Sequence, residues 1–188
     1  MQLELDTSRV DEFERRMGAF GPWMHAYKLG DEIFTGYYKY EGLDGSCTFV
    51  NSRSPKIDID RMRAAYASRR HHVLDAYVDE IFDLVVPNRG ERASMRVLDL
   101  ASASGQISIR AVRSGFGAVT SSEIRGSQSS QERLLLDSLR DPKYRERITV
   151  VNDPVSADAP EFPERYRSSP PDLVLSFGLL YHLTNPFQ

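Results

Sequence analysis

The chain has 188 residues, 40% hydrophobic and 27% charged, with a formal net charge of −3. That length suits one well-buried domain plus an accessory segment, and the composition is that of an ordinary folded protein, neither disordered nor membrane-inserted. The slight acidity gives no global electrostatic case for nucleic-acid binding, and no apolar run approaches the roughly 20 residues of a membrane-spanning helix.

Cys47, the single cysteine, excludes an intrachain disulfide and a cysteine-based zinc cage. It reads as a small hydrophobe in a reducing compartment, and no metal site is expected. The start Met1-Gln2-Leu3-Glu4-Leu5-Asp6 carries acids where a signal peptide needs a positive stretch and an apolar run, so a cytoplasmic location is expected.

A short helix is expected near Asp11–Met17, followed by irregular and β-rich structure through Trp23, His25, Tyr27, Phe34, Tyr37, Tyr38, Tyr40 and Thr48-Phe49-Val50. These aromatics either form a lid over a substrate or fill a core. From Asp60, the spacing of Met62, Tyr66, Val73, Tyr77, Ile81 and Leu84 predicts one buried helical face, running to about Val86 and broken by Pro87-Asn88-Arg89-Gly90. Within it, Arg69-Arg70-His71-His72 points to different helix faces and reads as a solvated surface rather than a phosphate or metal site.

Beyond this break, strands alternate with helices. Strands are expected at Arg96–Leu100, Ala118–Ser122, Ile148–Val151 and Leu173–Phe177, with helices at Gln106–Ser114 and Ser127–Arg140, the latter stopped by Asp141-Pro142. Such alternation predicts an α/β fold with a parallel sheet covered on both faces by right-handed crossovers.

In an open parallel sheet a ligand binds beyond the carboxyl ends of the strands. The first strand exits through Asp99-Leu100-Ala101-Ser102-Ala103-Ser104-Gly105, where small residues at 101, 103 and 105 let backbone approach a ligand and the next helix offers free N–H groups. The second strand ends in Ser121-Ser122-Glu123, placing an acid where it can accept hydrogen bonds from both hydroxyls of a ribose. The turn alternates small residues and lacks the G-x-G-x-x-G spacing that brings a pyrophosphate against a helix, so a dinucleotide is the weaker reading.

These positions, with the stretch Asp172-Leu173-Val174-Leu175-Ser176-Phe177-Gly178-Leu179-Leu180-Tyr181-His182-Leu183-Thr184-Asn185-Pro186, resemble class I S-adenosylmethionine-dependent methyltransferases over roughly residues 95–187. The subgroup resembled includes wobble-uridine tRNA modifiers and related bacterial proteins, and the region around Trp23–Gly36 resembles that subgroup's aromatic N-terminal part. The resemblance implies a Rossmann-like sheet of order 3-2-1-4, with S-adenosyl-L-methionine as cofactor and S-adenosyl-L-homocysteine as product. It implies that Asp99, Ala101, Ser102, Ala103 and Gly105 hold the methionine end and that Glu123 holds the ribose. Asp153 would then face the adenine amino group between Ile124 and Pro154, and Phe177 and Gly178 would close the methyl-transfer pocket. The family more often has glycine at the positions of Ala101 and Ala103, and each alanine is strained if its φ is positive.

His182 is a candidate general base, set against the packing of Tyr181-His182-Leu183 on the sheet. The resemblance divides the chain into an accessory or lid segment, 1–60, and a methyltransferase domain, 61–188, that lacks the three later strands. A bare edge at 173–177 would invite self-association or another chain. Two functions follow as expectations. One is methyl transfer to a small-molecule or nucleoside acceptor; the other is a catalytically silent, truncated methyltransferase-like subunit serving binding or assembly.

Overall fold

The computed structural model describes residues 1–17, 19–20, 23, 27–29, 33–34, 38–41, 47–50, 69–153 and 164–177. The amino-terminal part opens with β1 (Gln2–Leu3), a 3-10 turn at Thr7–Arg9 and α1 (Val10–Met17). The turn starts where Asp6 caps it, its carboxylate accepting from the Ser8 N–H at 2.9 Å. β2 (Lys28–Leu29) pairs parallel with β1 and antiparallel with β3 (Ile33–Phe34), and β4 (Tyr38–Glu41) pairs antiparallel with β5 (Cys47–Val50).

This segment shares the main hydrophobic core. Met1, Leu3, Leu5, Phe13, Met17, Trp23, Tyr27 and Leu29 are buried in one cluster with Ile109, Phe116 and Leu135. Trp23 packs against Phe13 at 5.7 Å and edge-on to Tyr27 at 6.5 Å, while its indole N–H donates to the Met17 carbonyl at 2.9 Å. Of the two roles expected for the aromatics, Trp23 and Tyr27 fill a core.

α2 (Arg69–Val85) leads to α3 (Arg89–Arg92), a single turn capped by Asn88, whose side chain accepts from the Gly90 N–H. The Pro87-Asn88-Arg89-Gly90 break therefore ends one helix and starts another. The buried face of α2 differs from the expected one. Tyr77 is 63% and Leu84 82% exposed, whereas Val78 and Phe82, one turn apart, are buried. Apolar residues occupy both faces here, and the inward one is selected by Phe116, whose ring meets Phe82 at 5.2 Å, and by Arg92. Arg92, 1% exposed, caps the end of α2, donating to the carbonyls of Phe82 at 2.8 Å and Val86 at 2.6 and 2.9 Å and to the Asp83 carboxylate at 2.6 Å. Met62 and Tyr66 lie outside the described residues.

The remaining elements build the parallel sheet: β6 (Arg96–Leu100), α4 (Gln106–Arg113), β7 (Ala118–Ser122), α5 (Gly126–Ser138), α6 (Lys143–Arg147), β8 (Ile148–Val151), α7 (Glu164–Ser168) and β9 (Leu173–Leu175). Its order, β8-β7-β6-β9, is the expected 3-2-1-4 with every pair parallel. α5 ends two residues before the expected Arg140 because Leu139 is extended and bridges to Leu5, with Arg140 N–H donating to the Glu4 carbonyl at 2.9 Å. β9 is shorter than expected, since pairing with β6 stops at Leu175. Among the described residues β9 pairs with β6 alone, and Val174 on it is 50% exposed.

Candidate functional site

The register aligns Leu100, Ser122 and Val151 across three strands and sets Leu175 beside Asp99. The residues that follow each strand therefore gather along one carboxyl edge, where ligands of such sheets bind.

From β6 the chain turns through Ala101–Gly105 into α4, with φ of 55° at Ala101, 53° at Ala103 and 85° at Gly105. Each alanine in this left-handed region costs about 1–2 kcal/mol relative to its right-handed form. Hydrogen bonds hold the turn in place. Ser102 N–H donates to the Ser122 carbonyl at 3.1 Å, Gly105 N–H to the Ser102 carbonyl at 2.9 Å, and Ala103 N–H to Glu123 Oε2 at 2.9 Å. From the amino-terminal segment, the Tyr27 hydroxyl donates to the Ser104 carbonyl at 2.8 Å.

Asp99, near the end of β6, is 1% exposed and accepts from Ser108 Oγ, in the first turn of α4, at 2.6 Å. Burial pushes its carboxyl up to about 7; the Ser108 hydrogen bonds pull it down, and the nearby Glu123 charge adds to the rise.

Glu123, just past β7, is buried. Its Oε1 accepts from the Arg125 N–H at 2.8 Å, and its Oε2 takes the Ala103 N–H described above. The Gln128 amide, oriented with its nitrogen toward this carboxylate, donates to Oε2 at 3.2 Å and accepts from Arg125 Nη1 at 3.1 Å. A carboxylate offers about four acceptor positions, so Oε1 retains capacity for a ligand hydroxyl. Beside it, Ile124 is 64% exposed, an apolar side chain open to a flat partner.

At the exit of β8, Asn152 Nδ2 donates to the Glu123 carbonyl at 2.8 Å and to Ser129 Oγ at 2.7 Å. Asp153 Oδ2 accepts from the Tyr166 hydroxyl at 3.0 Å. On the far side, Phe177 is partly buried against the core. The structure thus links Ser102, Ala103, Gly105 and Glu123 by hydrogen bonds in one turn, with Asp99 tied to the following helix through Ser108 and with Ile124 and Asp153 on the adjoining strand exits. Pro154, Gly178 and His182 lie outside the described residues.

Sequence reasoning named Tyr27 only as a lid or core aromatic and missed Ser108, Asn152 and a further acid, Glu132, which is 0% exposed beneath the turn. One signal for Glu132 was present: it stands three and four residues before the buried Leu135 and Leu136, on the inward stripe of α5. Among the described residues no cluster of His, Cys, Asp or Glu is arranged to hold a metal ion, and no helix is long and apolar enough to cross a membrane.

No protein-family model matches the chain, and no curated protein matches it. Among solved structures, it is similar to the N-terminal domain of EvdMO1 crystallised with SAH bound, with a TM-score of 0.55 and 16% identity over 97% of this chain and 58% of that one. It is also similar to EvdMO1 itself, with a TM-score of 0.50 and 18% identity over 94% of this chain and 30% of that one. The likeness is one of fold: the chain has a Rossmann-like fold of the class I methyltransferase type. It spans little more than half the length of the EvdMO1 domain that it matches.

Proposed function

We propose that the chain binds S-adenosyl-L-methionine along the carboxyl edge of its parallel sheet and serves methyl transfer to a small-molecule or nucleoside acceptor, with S-adenosyl-L-homocysteine as product. The observation that carries this reading is the hydrogen bond from Ala103 N–H to Glu123 at 2.9 Å, which draws the small-residue turn after β6 and the acid after β7 into one site. The alanines support it further, because both adopt the left-handed backbone that the turn requires, so the path is kept without glycine.

In this reading the turn from Ala101 to Gly105, with Asp99 behind it, receives the methionine end. Glu123 accepts from the ribose hydroxyls with the capacity left on Oε1. Ile124 offers its exposed side chain to the adenine face, Asp153 faces the adenine edge, and Phe177 borders the transfer pocket. When bound, the cofactor supplies an activated methyl group on a sulfonium, so alignment and the exclusion of water are the protein's main tasks. The buried, serine-lined turn serves both.

The EvdMO1 domain, which holds SAH in its crystal, supports the same cofactor class. The likeness of residues 172–186 to wobble-uridine tRNA modifiers makes a nucleoside one acceptor class to test. Residues 61–188 form the cofactor-binding unit in this reading, and 1–60 form an accessory segment that reaches the turn through Tyr27. The outer edge of β9, with Val174 half exposed, is the place for pairing with a second copy or another chain.

Calorimetry with S-adenosyl-L-methionine and S-adenosyl-L-homocysteine tests the reading. Wild type should bind both, and Glu123→Ala should weaken binding about tenfold or more through loss of a charge-assisted contact. Absence of binding at millimolar ligand, or equal affinity in the variant, counts against it.

A further inference from the structure

Glu132 projects from α5 into the layer between the sheet and the turn at Ala101–Gly105, and the proposed reaction has no use for it as a contact. Its side chain is 0% exposed. Oε2 accepts from Ser121 Oγ of β7 at 2.6 Å and from Ser102 Oγ of the turn at 3.4 Å, while Oε1 has no hydrogen-bond partner among the described residues. The carboxyl lies directly under Gly105, where an added Cβ would fall 2.5 Å from Cδ and 2.7 Å from Cγ of Glu132. Gly105 thus serves twice: it supplies the positive φ that enters α4, and it leaves room for an acid to close against the backbone. The following residues of this helix, Leu134, Leu135 and Leu136, are all buried. An apolar side chain at 132 would continue that core without the cost of burying a carboxyl.

We propose that Glu132 is a positioning residue, a neutral carboxylic acid that joins β7 to the turn through Ser121 and Ser102 and holds Ala101–Gly105 in its ligand-receiving shape. The brace itself stands on these contacts; its effect on the cofactor rests on the function proposed above. The charged and titratable groups around it agree with a neutral acid. Asp99 faces it from β6, Arg133 stands on its own helix, and the neighbours on β7 and on the turn are the serines already named. Burial raises the Glu132 carboxyl to about 8, the Ser121 hydrogen bond opposes the rise, and the Asp99 charge adds to it. Ionisation places a second anion near Asp99 in a dry layer and draws Glu132 toward water, which loosens the turn. The ligand-receiving shape is therefore expected to fail on the alkaline side.

The experiment compares ligand-free wild type, Glu132→Gln and Glu132→Ala by amide NMR between about pH 6 and about pH 9.5, followed by calorimetry with S-adenosyl-L-homocysteine over the same range. In wild type, the amides of Ser102, Ala103 and Gly105 should move together with a midpoint near 8. S-adenosyl-L-homocysteine affinity should fall across the same interval. Glu132→Gln, which keeps a neutral hydrogen-bonding group of the same shape, should retain the neutral-pH affinity and abolish both alkaline changes. Glu132→Ala should lose about tenfold in affinity even at neutral pH. If Glu132→Ala does not fold, the comparison of wild type with Glu132→Gln still decides.

Asp99 stays ionisable in Glu132→Gln. Its own transition lies near 7; a transition with its midpoint near 8 that survives in that variant overturns the proposal, as do wild-type amides that do not titrate near 8. Should wild type bind no S-adenosyl-L-homocysteine at any pH, the cofactor reading fails, and the amide titrations alone decide the brace.

Discussion

The Tyr27 hydroxyl reaches the Ser104 carbonyl at 2.8 Å across 77 residues of sequence, so the turn at the end of β6 is held from outside the parallel sheet as well as from within it. Tyr27 is fixed in turn by the edge of Trp23. Tyr27→Phe keeps the ring packing and removes the hydroxyl that reaches Ser104. It should lower stability by about 1 kcal/mol and weaken S-adenosyl-L-homocysteine binding. Urea denaturation and calorimetry on the same samples check both, and unchanged values would remove Tyr27 from the support of the turn.

Arg92 is a fully buried cation in the core. Besides its contacts to α2, it donates to the Ser114 carbonyl at 3.1 Å and stacks over the Phe116 ring at 5.5 Å. Arg92→Ala strands several buried carbonyls and empties a large volume, so a loss of about 3 kcal/mol or more is expected. Arg92→Lys, with one compact ammonium in place of a fork, should recover only part of it. Denaturant midpoints of the three proteins make the comparison.

Stability should fall as pH rises through the neutral range. The folded chain keeps protons on Asp99 up to about 7 and on Glu132 up to about 8, whereas the unfolded chain releases them near 3.8 and 4.5. Between those limits the folded state binds more protons than the unfolded one, so raising the pH favours unfolding. The half-buried acids Asp6, Asp83 and Asp141 are shifted down by their hydrogen bonds to Ser8, Arg89 and Lys143, and their contribution is complete once the pH exceeds the ordinary aspartate value of 3.8. They do not offset the trend above it. Urea melts at about pH 5 and about pH 8 should show the higher midpoint at the lower pH, and Glu132→Gln should narrow the gap.

The two alanines of the turn give opposing terms that their burial separates. Ala101→Gly relieves a left-handed alanine while loosening the unfolded chain, for a net gain of about 0.5–1 kcal/mol. Ala103→Gly also removes a methyl that is only 8% exposed, worth about 0.8 kcal/mol, and should be close to neutral. A loss of about 1 kcal/mol at both sites, the usual effect of glycine replacing alanine in regular structure, would contradict the positive φ at both.

The strands Arg96–Leu100, Ala118–Ser122 and Ile148–Val151 were legible to the residue: the first and third are short, mostly apolar runs of the kind a buried parallel sheet requires, and the second, Ala-Val-Thr-Ser-Ser, falls between two helical stretches in the same alternation. α2 was legible as a helix and misread as to face. Tyr77, Val78, Ile81, Phe82, Leu84 and Val85 put apolar groups almost all round it, and only Phe116 and Arg92, brought up from later in the chain, decide between them. In the site, Asp99 and Glu123 could be picked out because each stands at the carboxyl end of a strand, one just before its last residue and one just after it. Glu132 carried only its place on the inward stripe of α5, and Tyr27 only its place among the amino-terminal aromatics; the partners that give each its importance, Ser121 and Ser102 for one and Ser104 for the other, come from other elements. The short helices α6 and α7 were missed for a related reason: five residues each carry too little periodicity to read.

The bridge between Leu5 and Leu139, with Arg140 N–H on the Glu4 carbonyl, also sets a timetable. Glu4 and Arg140 are 136 positions apart, which a ribosome covers in roughly 7 to 27 seconds at about 5–20 residues per second. Throughout that interval the nascent chain carries Leu3 and Leu5 without the helix end that shelters them. Synonymous codons that slow translation between these points would prolong the exposure, and with it the time in which a chaperone or another nascent chain can claim the segment first.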